Sequence, residues 1–191
     1  TPEGYAALTS ASEDVLAISR SEEVQAILDG DRKNSNKTKD FVIHLVPREK
    51  VFSSDDSLVR VALDPLLLEA VAHYLGMYPQ LNSVGAWLNY PTDSDAQASQ
   101  LWHRDPADVQ IIKVFIYLVN VDSDTGPFSY LPQTQPLGAK VSLAAQFENN
   151  KRVLDGDIAK VFPPQEWIEC VGPANTMVLA DTIGYHRGGK P

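Results

Sequence analysis

The chain has 191 residues, 43% of them hydrophobic, and its 16 Lys and Arg against 25 Asp and Glu give a net charge of −9. An acidic surface repels phosphate backbones, so nucleic acid is not an expected partner. The longest apolar run, Val114 to Val119, is far below the ~20 residues that span a bilayer, and no secretory signal pattern precedes it. A single cysteine, Cys170, fits a reducing compartment. We therefore expect one cytoplasmic domain, residues 1–191, with no membrane partner.

The first part of the chain, residues 1–76, is predicted to be mostly helical. Apolar residues recur at helical spacing in Ser12–Ser19 and in Ser21–Leu28, with acidic residues in the first turns. The polar stretch Asp31–Lys39 predicts a loop, and Phe41–Val46 predicts a strand.

The strongest helix signal of this part lies at Leu66–Leu75. Asp64 is a favourable N-cap and Pro65 suits the first helical position. Gly76 is typical of a residue that ends a helix in the left-handed conformation.

From Ser83 onward the chain becomes a series of short β-type runs separated by Pro, Gly, Asp and Asn. The absence of long helices between these runs favours antiparallel pairing. We predict a mainly β fold with flanking helices, a double-stranded β-helix (jelly roll, cupin-like) whose core is residues 83–191. The predicted strands are Val84–Tyr90, Gln100–His103, Val109–Val121, Pro127–Leu131, Ile158–Phe162, Trp167–Val171, Thr176–Leu179 and Gly184–His186.

Three residues form a candidate metal site. His103 and Asp105 are two residues apart, so in extended chain their side chains lie on one face. By itself this spacing is weak evidence, because a strand-end histidine beside an acidic turn residue is the commoner explanation. His186 follows another apolar strand and can supply a third ligand. Two histidines and one carboxylate leave open positions on a metal, which is the arrangement of non-haem Fe(II) oxygenases.

The segments around these residues resemble the phytanoyl-CoA dioxygenase-like branch of the Fe(II)/2-oxoglutarate oxygenases, from about Val84 onward. The resemblance implies a helix-flanked jelly roll in which His103, Asp105 and His186 are the iron ligands. The segments that carry it are Gln100-Leu101-Trp102-His103-Arg104-Asp105, Lys113-Val114-Phe115-Ile116-Tyr117-Leu118, Asp122-Ser123-Asp124-Thr125-Gly126-Pro127-Phe128, Val171-Gly172-Pro173-Ala174, Asp181-Thr182 and His186-Arg187-Gly188.

The chain departs from this family in two places. The family commonly has Pro-Gly-Ser-His where this chain has Pro132-Gln133-Thr134-Gln135. The family also has an arginine about eleven residues beyond the distal histidine, and its planar fork binds the far carboxylate of 2-oxoglutarate. The sequence ends at Pro191, so we expect a further strand with this arginine beyond it.

Three residues are candidates for contact with the cosubstrate. Lys113 and Tyr117 share one face of a predicted strand, with Phe115 between them. A buried lysine needs an anion, and a cosubstrate carboxylate would supply it; a lysine at a solvent-facing rim is the alternative. Asn89 lies in the run that precedes the His103 strand, and it is the third candidate.

The function expected from these observations is that of an Fe(II)- and 2-oxoglutarate-dependent dioxygenase. Such an enzyme uses O₂ to hydroxylate a small-molecule substrate, while the protein supplies position, charge balance and a dry cavity. Two alternatives remain. One is a cupin-like metal enzyme, an isomerase or hydrolase with Zn or Mn and no 2-oxoglutarate. The other is a jelly roll that binds a ligand without turnover. Formation of succinate under air distinguishes the first function from both.

Overall fold

A computed structural model of the chain describes residues 1–34, 36, 39–47, 50–105, 110–149 and 151–191. The chain divides into two units, residues 1–90 and 91–191. The boundary between the units lies beyond Gly76, where the sequence pattern changes. The assignment of residues 1–191 as one domain stays a prediction. No helix in the described residues is long and apolar enough to cross a membrane.

The first unit combines helices with a two-stranded antiparallel ribbon. β1 and β2 form the ribbon, with Val42 opposite Asn89 and His44 opposite Trp87. α1 packs against α3. The elements of this unit are α1 (Pro2–Ser19), α2 (Glu22–Leu28), β1 (Val42–His44), α3 (Ser57–Ala62), α4 (Pro65–Leu75) and β2 (Trp87–Asn89).

The prediction for α4 is confirmed by its two ends. The Asp64 carboxylate accepts hydrogen bonds from the backbone N–H groups of Leu66 at 3.0 Å and Leu67 at 3.3 Å. Pro65 is the first helical residue, and Gly76 ends the helix with a φ of 69°. Both signals act within one turn of chain, which is why sequence alone places this helix well.

The first helix is longer than predicted, and α3 was not predicted. α1 begins at Pro2, and the Thr1 hydroxyl accepts a hydrogen bond from the N–H of Gly4 at 3.0 Å. Alanines make up half of its buried stripe, so the pattern of large apolar residues, which starts only at Val15, misses the first half. The buried residues of α1 are Ala7, Leu8, Ala11 and Val15.

The second unit contains two small antiparallel sheets in its described residues. β3 pairs with β6, and β4 lies between β5 and β7. Isolated bridges join Trp102 to Val153 and His103 to His186. The elements are β3 (Ile112–Ile116), β4 (Phe128–Tyr130), α5 (Val141–Ala144), α6 (Asp155–Ile158), β5 (Ile168–Cys170), β6 (Met177–Asp181) and β7 (His186–Gly188).

The prediction of a mainly β fold is wrong, since helices occupy much of the described chain and every strand in it has three to five residues. The fold is a mixture of helices and small antiparallel sheets, and a jelly roll is not established. The observed strands are shorter than the predicted ones. The long run Val109–Val121, for example, forms only β3, and its first residue lies outside the described residues.

The predicted strand Ile158–Phe162 is wrong. α6 ends at Ile158, and the Phe162 N–H donates to the Ile158 carbonyl at 2.8 Å, which continues helical turns beyond it. Asp155 and Asp157 lie in the first turn, where the helix dipole favours acidic residues. Ile158 and Phe162 are four residues apart and both buried, so the apolar period is that of a helix.

The core of the second unit lies on one side of the bridged segments. Trp102 is fully buried in it, with no exposed surface. Since side chains alternate along extended chain, burial of Trp102 directs its neighbour His103 to the opposite side. The core cluster consists of Trp102, Leu131, Ala144, Phe147, Val153, Ile158, Phe162 and Tyr185.

Candidate metal centre

Backbone pairing brings the two candidate histidines together. The His103 N–H donates to the His186 carbonyl at 2.9 Å, and the His186 N–H donates to the His103 carbonyl at the same distance. The Asp105 N–H donates to the Thr182 carbonyl, also at 2.9 Å. The ligand segments are therefore direct neighbours although they are far apart in sequence.

The side chains of His103, Asp105 and His186 converge, as the spacing predicts. One potential ligand atom from each residue lies within 4.8 Å of the other two. His186 Nε2 and Asp105 Oδ2 are 3.5 Å apart, and the two imidazole rings are 4.3 Å apart between centroids. This group could hold a metal ion.

Hydrogen bonds to the backbone fix the orientation of both imidazoles. His103 Nδ1 lies 2.8 Å from the Leu101 carbonyl, and His186 Nδ1 lies 2.9 Å from the Gly184 carbonyl. A carbonyl oxygen only accepts, so each Nδ1 donates its proton and each Nε2 of the neutral ring carries a lone pair. Metal-binding histidines in proteins characteristically make this second hydrogen bond.

Burial keeps both imidazoles neutral. Loss of solvent is the main cause that lowers the pKa of His103 to about 4, and electrostatic repulsion between the two imidazoles is the next. Burial likewise lowers the pKa of His186. The residues are 6% and 4% exposed, so two unprotonated nitrogens are available at neutral pH without a proton having to leave.

Asp105 is ionised in spite of its partial burial. Burial raises its pKa, but contacts with Lys113 and Thr182 outweigh this effect and lower it. The His186 Nε2 lone pair and the Asp105 carboxylate face each other at 3.5 Å, and two electron-rich groups at this distance are stabilised by a cation between or beside them. The donor set of two imidazole nitrogens and one carboxylate oxygen could therefore hold a divalent metal ion.

Lys113, a predicted cosubstrate residue, lies beside the metal ligands. Its Nζ is 2.5 Å from Asp105 Oδ2, and its side chain is 45% exposed. The anion that a lysine at this position requires is thus Asp105, and the lysine is neither fully buried nor at a distant rim. A metal ion and Lys113 would share one carboxylate oxygen.

The other two predicted cosubstrate residues have different surroundings. Tyr117 lies just beyond the end of β3, and its hydroxyl donates to the Cys170 carbonyl at 2.5 Å. Burial, followed by the charge of Cys170, raises the pKa of this phenol. Asn89 lies in β2, in the first unit. Their roles toward a cosubstrate stay predictions.

Arg187 points away from the metal ligands, as expected for the residue after His186 in extended chain. Its Nη1 lies 2.5 and 2.6 Å from the two carboxylate oxygens of Asp155. Its guanidinium stacks over Trp102 at 5.0 Å and over Trp167 at 5.4 Å. Arg187 is therefore held on the core side of the bridged segments.

Arg152 acts electrostatically on both histidines, and no sequence pattern predicts this. Its charge contributes to the lowered pKa of both His103 and His186. A single arginine in a polar connection carries no periodic or motif signal, so only the three-dimensional pairing of this segment reveals it.

Comparison with known proteins adds no relative. A scan against protein-family models finds no match, and searches of curated proteins and of solved structures return none either.

Proposed function

We propose that the second unit is the catalytic part of an Fe(II)- and 2-oxoglutarate-dependent dioxygenase that hydroxylates a small molecule. The observation that carries this proposal is the convergence of His103, Asp105 and His186 within 4.8 Å, with both Nδ1 protons donated to backbone carbonyls. Two neutral imidazoles and one carboxylate on one side of a metal are typical of non-haem Fe(II) oxygenases.

A backbone feature supports the family resemblance independently. Gln133 has a φ of 66°, in the left-handed region that favours glycine. The resembled family has glycine at this position. A glycine would adopt this conformation without steric strain, so the backbone at Gln133 is compatible with the glycine of the resembled family.

The three converging side chains would bind the iron, and aromatic residues would shield one side of it. His103, Asp105 and His186 would hold the iron, which when bound supplies O₂ activation coupled to oxidative decarboxylation of 2-oxoglutarate. Phe128 packs beside the His186 ring at 5.6 Å between centroids and against Phe115 at 4.5 Å, which excludes water from that side of the ligand.

Lys113 would balance charge at the site. It neutralises Asp105 before iron binds, since the two groups are 2.5 Å apart. A divalent ion competes with Lys113 for the same oxygen, so iron binding would release the ammonium group toward an incoming carboxylate. We propose this as the contribution of Lys113 to cosubstrate binding.

A second candidate function follows from the same ion pair. Lys113 satisfies the charge of Asp105 without a metal, and this favours a protein that binds a ligand without turnover. A metal enzyme that does not use 2-oxoglutarate would share the three ligands.

Oxygen-dependent formation of succinate tests the proposal. Purified protein with Fe(II), ascorbate and 2-oxoglutarate should produce succinate slowly under air even without a primary substrate. His186→Ala should abolish production, whereas His73→Ala, which removes an exposed histidine of α4, should not. No succinate from protein shown to bind both iron and 2-oxoglutarate would favour the second candidate.

A further inference from the structure

Side-chain charges around the candidate metal centre leave an excess of positive charge. Asp105 contributes one negative charge, Lys113 and Arg152 contribute one positive charge each, and both imidazoles would be neutral as metal ligands. A divalent ion and doubly charged 2-oxoglutarate cancel each other. One positive charge then remains in a protein whose net charge is −9.

An isolated backbone bridge places Arg152 opposite His103. The Trp102 N–H donates to the Val153 carbonyl at 3.0 Å, and the Val153 N–H donates to the Trp102 carbonyl at 2.9 Å. In this antiparallel pairing Arg152 comes opposite His103, while Trp102 and Val153 share the buried side. Directly opposed residues of an antiparallel pair lie on the same side, which places Arg152 on the His103 side.

The guanidinium of Arg152 is available to a ligand. Its Nη1 donates to the backbone carbonyl of Lys151 at 2.7 Å, and the residue is exposed. Among the described residues no carboxylate forms an ion pair with it. The other arginines of this unit differ, since Arg104 pairs with Glu148 and Arg187 pairs with Asp155.

The two cations at the site face different molecules. Lys113 contacts the ligand carboxylate itself, so it meets whatever binds at the metal. Arg152 is exposed and forms no ion pair with a carboxylate of the described residues, so it is accessible to a molecule that approaches from solvent. A guanidinium binds carboxylates and phosphates through paired hydrogen bonds.

We propose that Arg152 is a specificity-determining residue that binds an anionic group, carboxylate or phosphate, on the primary substrate. This inference rests on the proposed function, because it presupposes a metal and 2-oxoglutarate beside Arg152. The substrate class is then a small organic anion, whose charge compensates the positive charge that remains at the site.

Binding of inorganic phosphate to the Mn(II)-loaded protein tests this inference. With 2-oxoglutarate saturating, bound phosphate should show saturable enhancement of its ³¹P relaxation by the nearby Mn(II). Loss of a charge-assisted hydrogen bond should weaken phosphate binding by about tenfold in Arg152→Gln, with partial retention in Arg152→Lys. The matched control Lys151→Gln removes one positive charge from the adjacent exposed residue, and should change the affinity less than about twofold.

Calorimetric affinities for Mn(II) and 2-oxoglutarate separate the outcomes. In Arg152→Gln the Mn(II) affinity should be equal to that of wild type or slightly higher, because a positive charge is removed, and the 2-oxoglutarate affinity should change less than about twofold. Equal phosphate affinity in these two proteins, or no saturable relaxation in wild type, would overturn the inference alone if Mn(II) is bound. A large loss of 2-oxoglutarate affinity in Arg152→Gln would also overturn it, because Arg152 would then serve the cosubstrate. Failure of wild type to bind Mn(II) would overturn both the inference and the proposed function.

Discussion

Two cation–carboxylate pairs occupy opposite sides of the bridged segments in the second unit, and they differ in how firmly the cation is held. On the core side, Arg187 contacts both oxygens of Asp155 and stacks over Trp102 and Trp167. On the other side, Lys113 contacts one oxygen of Asp105. The neutral imidazole of His186 lies beside the same carboxylate.

The difference separates an ion pair that the core holds in place from one that another cation could displace. Asp155 also accepts a hydrogen bond from Trp102 Nε1 at 2.9 Å, so its partners are fixed by the core. Lys113 has a flexible stem that is half exposed, and it can leave Asp105 when another cation arrives. Substitutions on the two sides should therefore affect different properties.

On the core side, Trp102→Ala should have the largest effect on stability. Removal of a fully buried tryptophan leaves a cavity and should lower the free energy of unfolding by about 3–5 kcal/mol. Urea unfolding measures the loss. Trp87→Ala is the matched control. Because Trp87 is 50% exposed, this substitution should lower the free energy of unfolding by less. Equal losses in the two variants would contradict the assignment of the core side.

On the metal side, acid should destabilise the metal-free protein through His103. Folding lowers its pKa from 6.5 to about 4, so the unfolded chain binds more protons between these pH values and stability falls as the pH decreases through that window. The free energy of unfolding should fall by roughly 3 kcal/mol across this pH window. Urea unfolding at several pH values should show a steeper decline for wild type than for His103→Gln. Parallel curves would show that His103 titrates normally.

Lys113→Met should increase the affinity for metal, whereas substitution of His103, Asp105 or His186 should decrease it. The substitution removes a positive charge 2.5 Å from Asp105 Oδ2, which should strengthen Mn(II) binding by about tenfold or less, since the side chain is partly solvated. Titration calorimetry measures the change. Lys160→Met, at an exposed lysine paired with Asp157, is the control and should have no effect. Weaker binding in Lys113→Met would mean that Lys113 supports the metal site instead of competing with it.

Gln133→Gly should produce the smallest effect. Glycine removes the steric cost of a φ of 66° but increases the entropy of the unfolded chain, so the net gain in stability should be no more than about 1 kcal/mol. Gln133→Val, with a β-branched side chain, should be destabilising. Thermal unfolding of both variants checks the sign, and a more stable Val variant would contradict the turn geometry.

Sequence predicted the local features and the motif better than the architecture. The ends of α4 follow from Asp64 and Gly76, which act on their own turn. The three candidate metal ligands follow from residue types whose chemistry is specific, and the structure brings them together. The strand predicted at Ile158–Phe162 failed because a short apolar run fits both helix and strand. The position of Arg152 depends on the long-range bridge between its neighbour Val153 and Trp102, for which the local sequence carries no signal.

Anaerobic titration of the protein with Fe(II) tests the central claim most directly. The account predicts one tightly bound iron per chain, and loss of at least about 100-fold in affinity in each of His103→Ala, Asp105→Ala and His186→Ala. His44→Ala and His73→Ala, which remove histidines of the first unit, should bind iron as wild type does. Stoichiometric iron in His186→Ala, or no iron in folded wild type, would contradict the account.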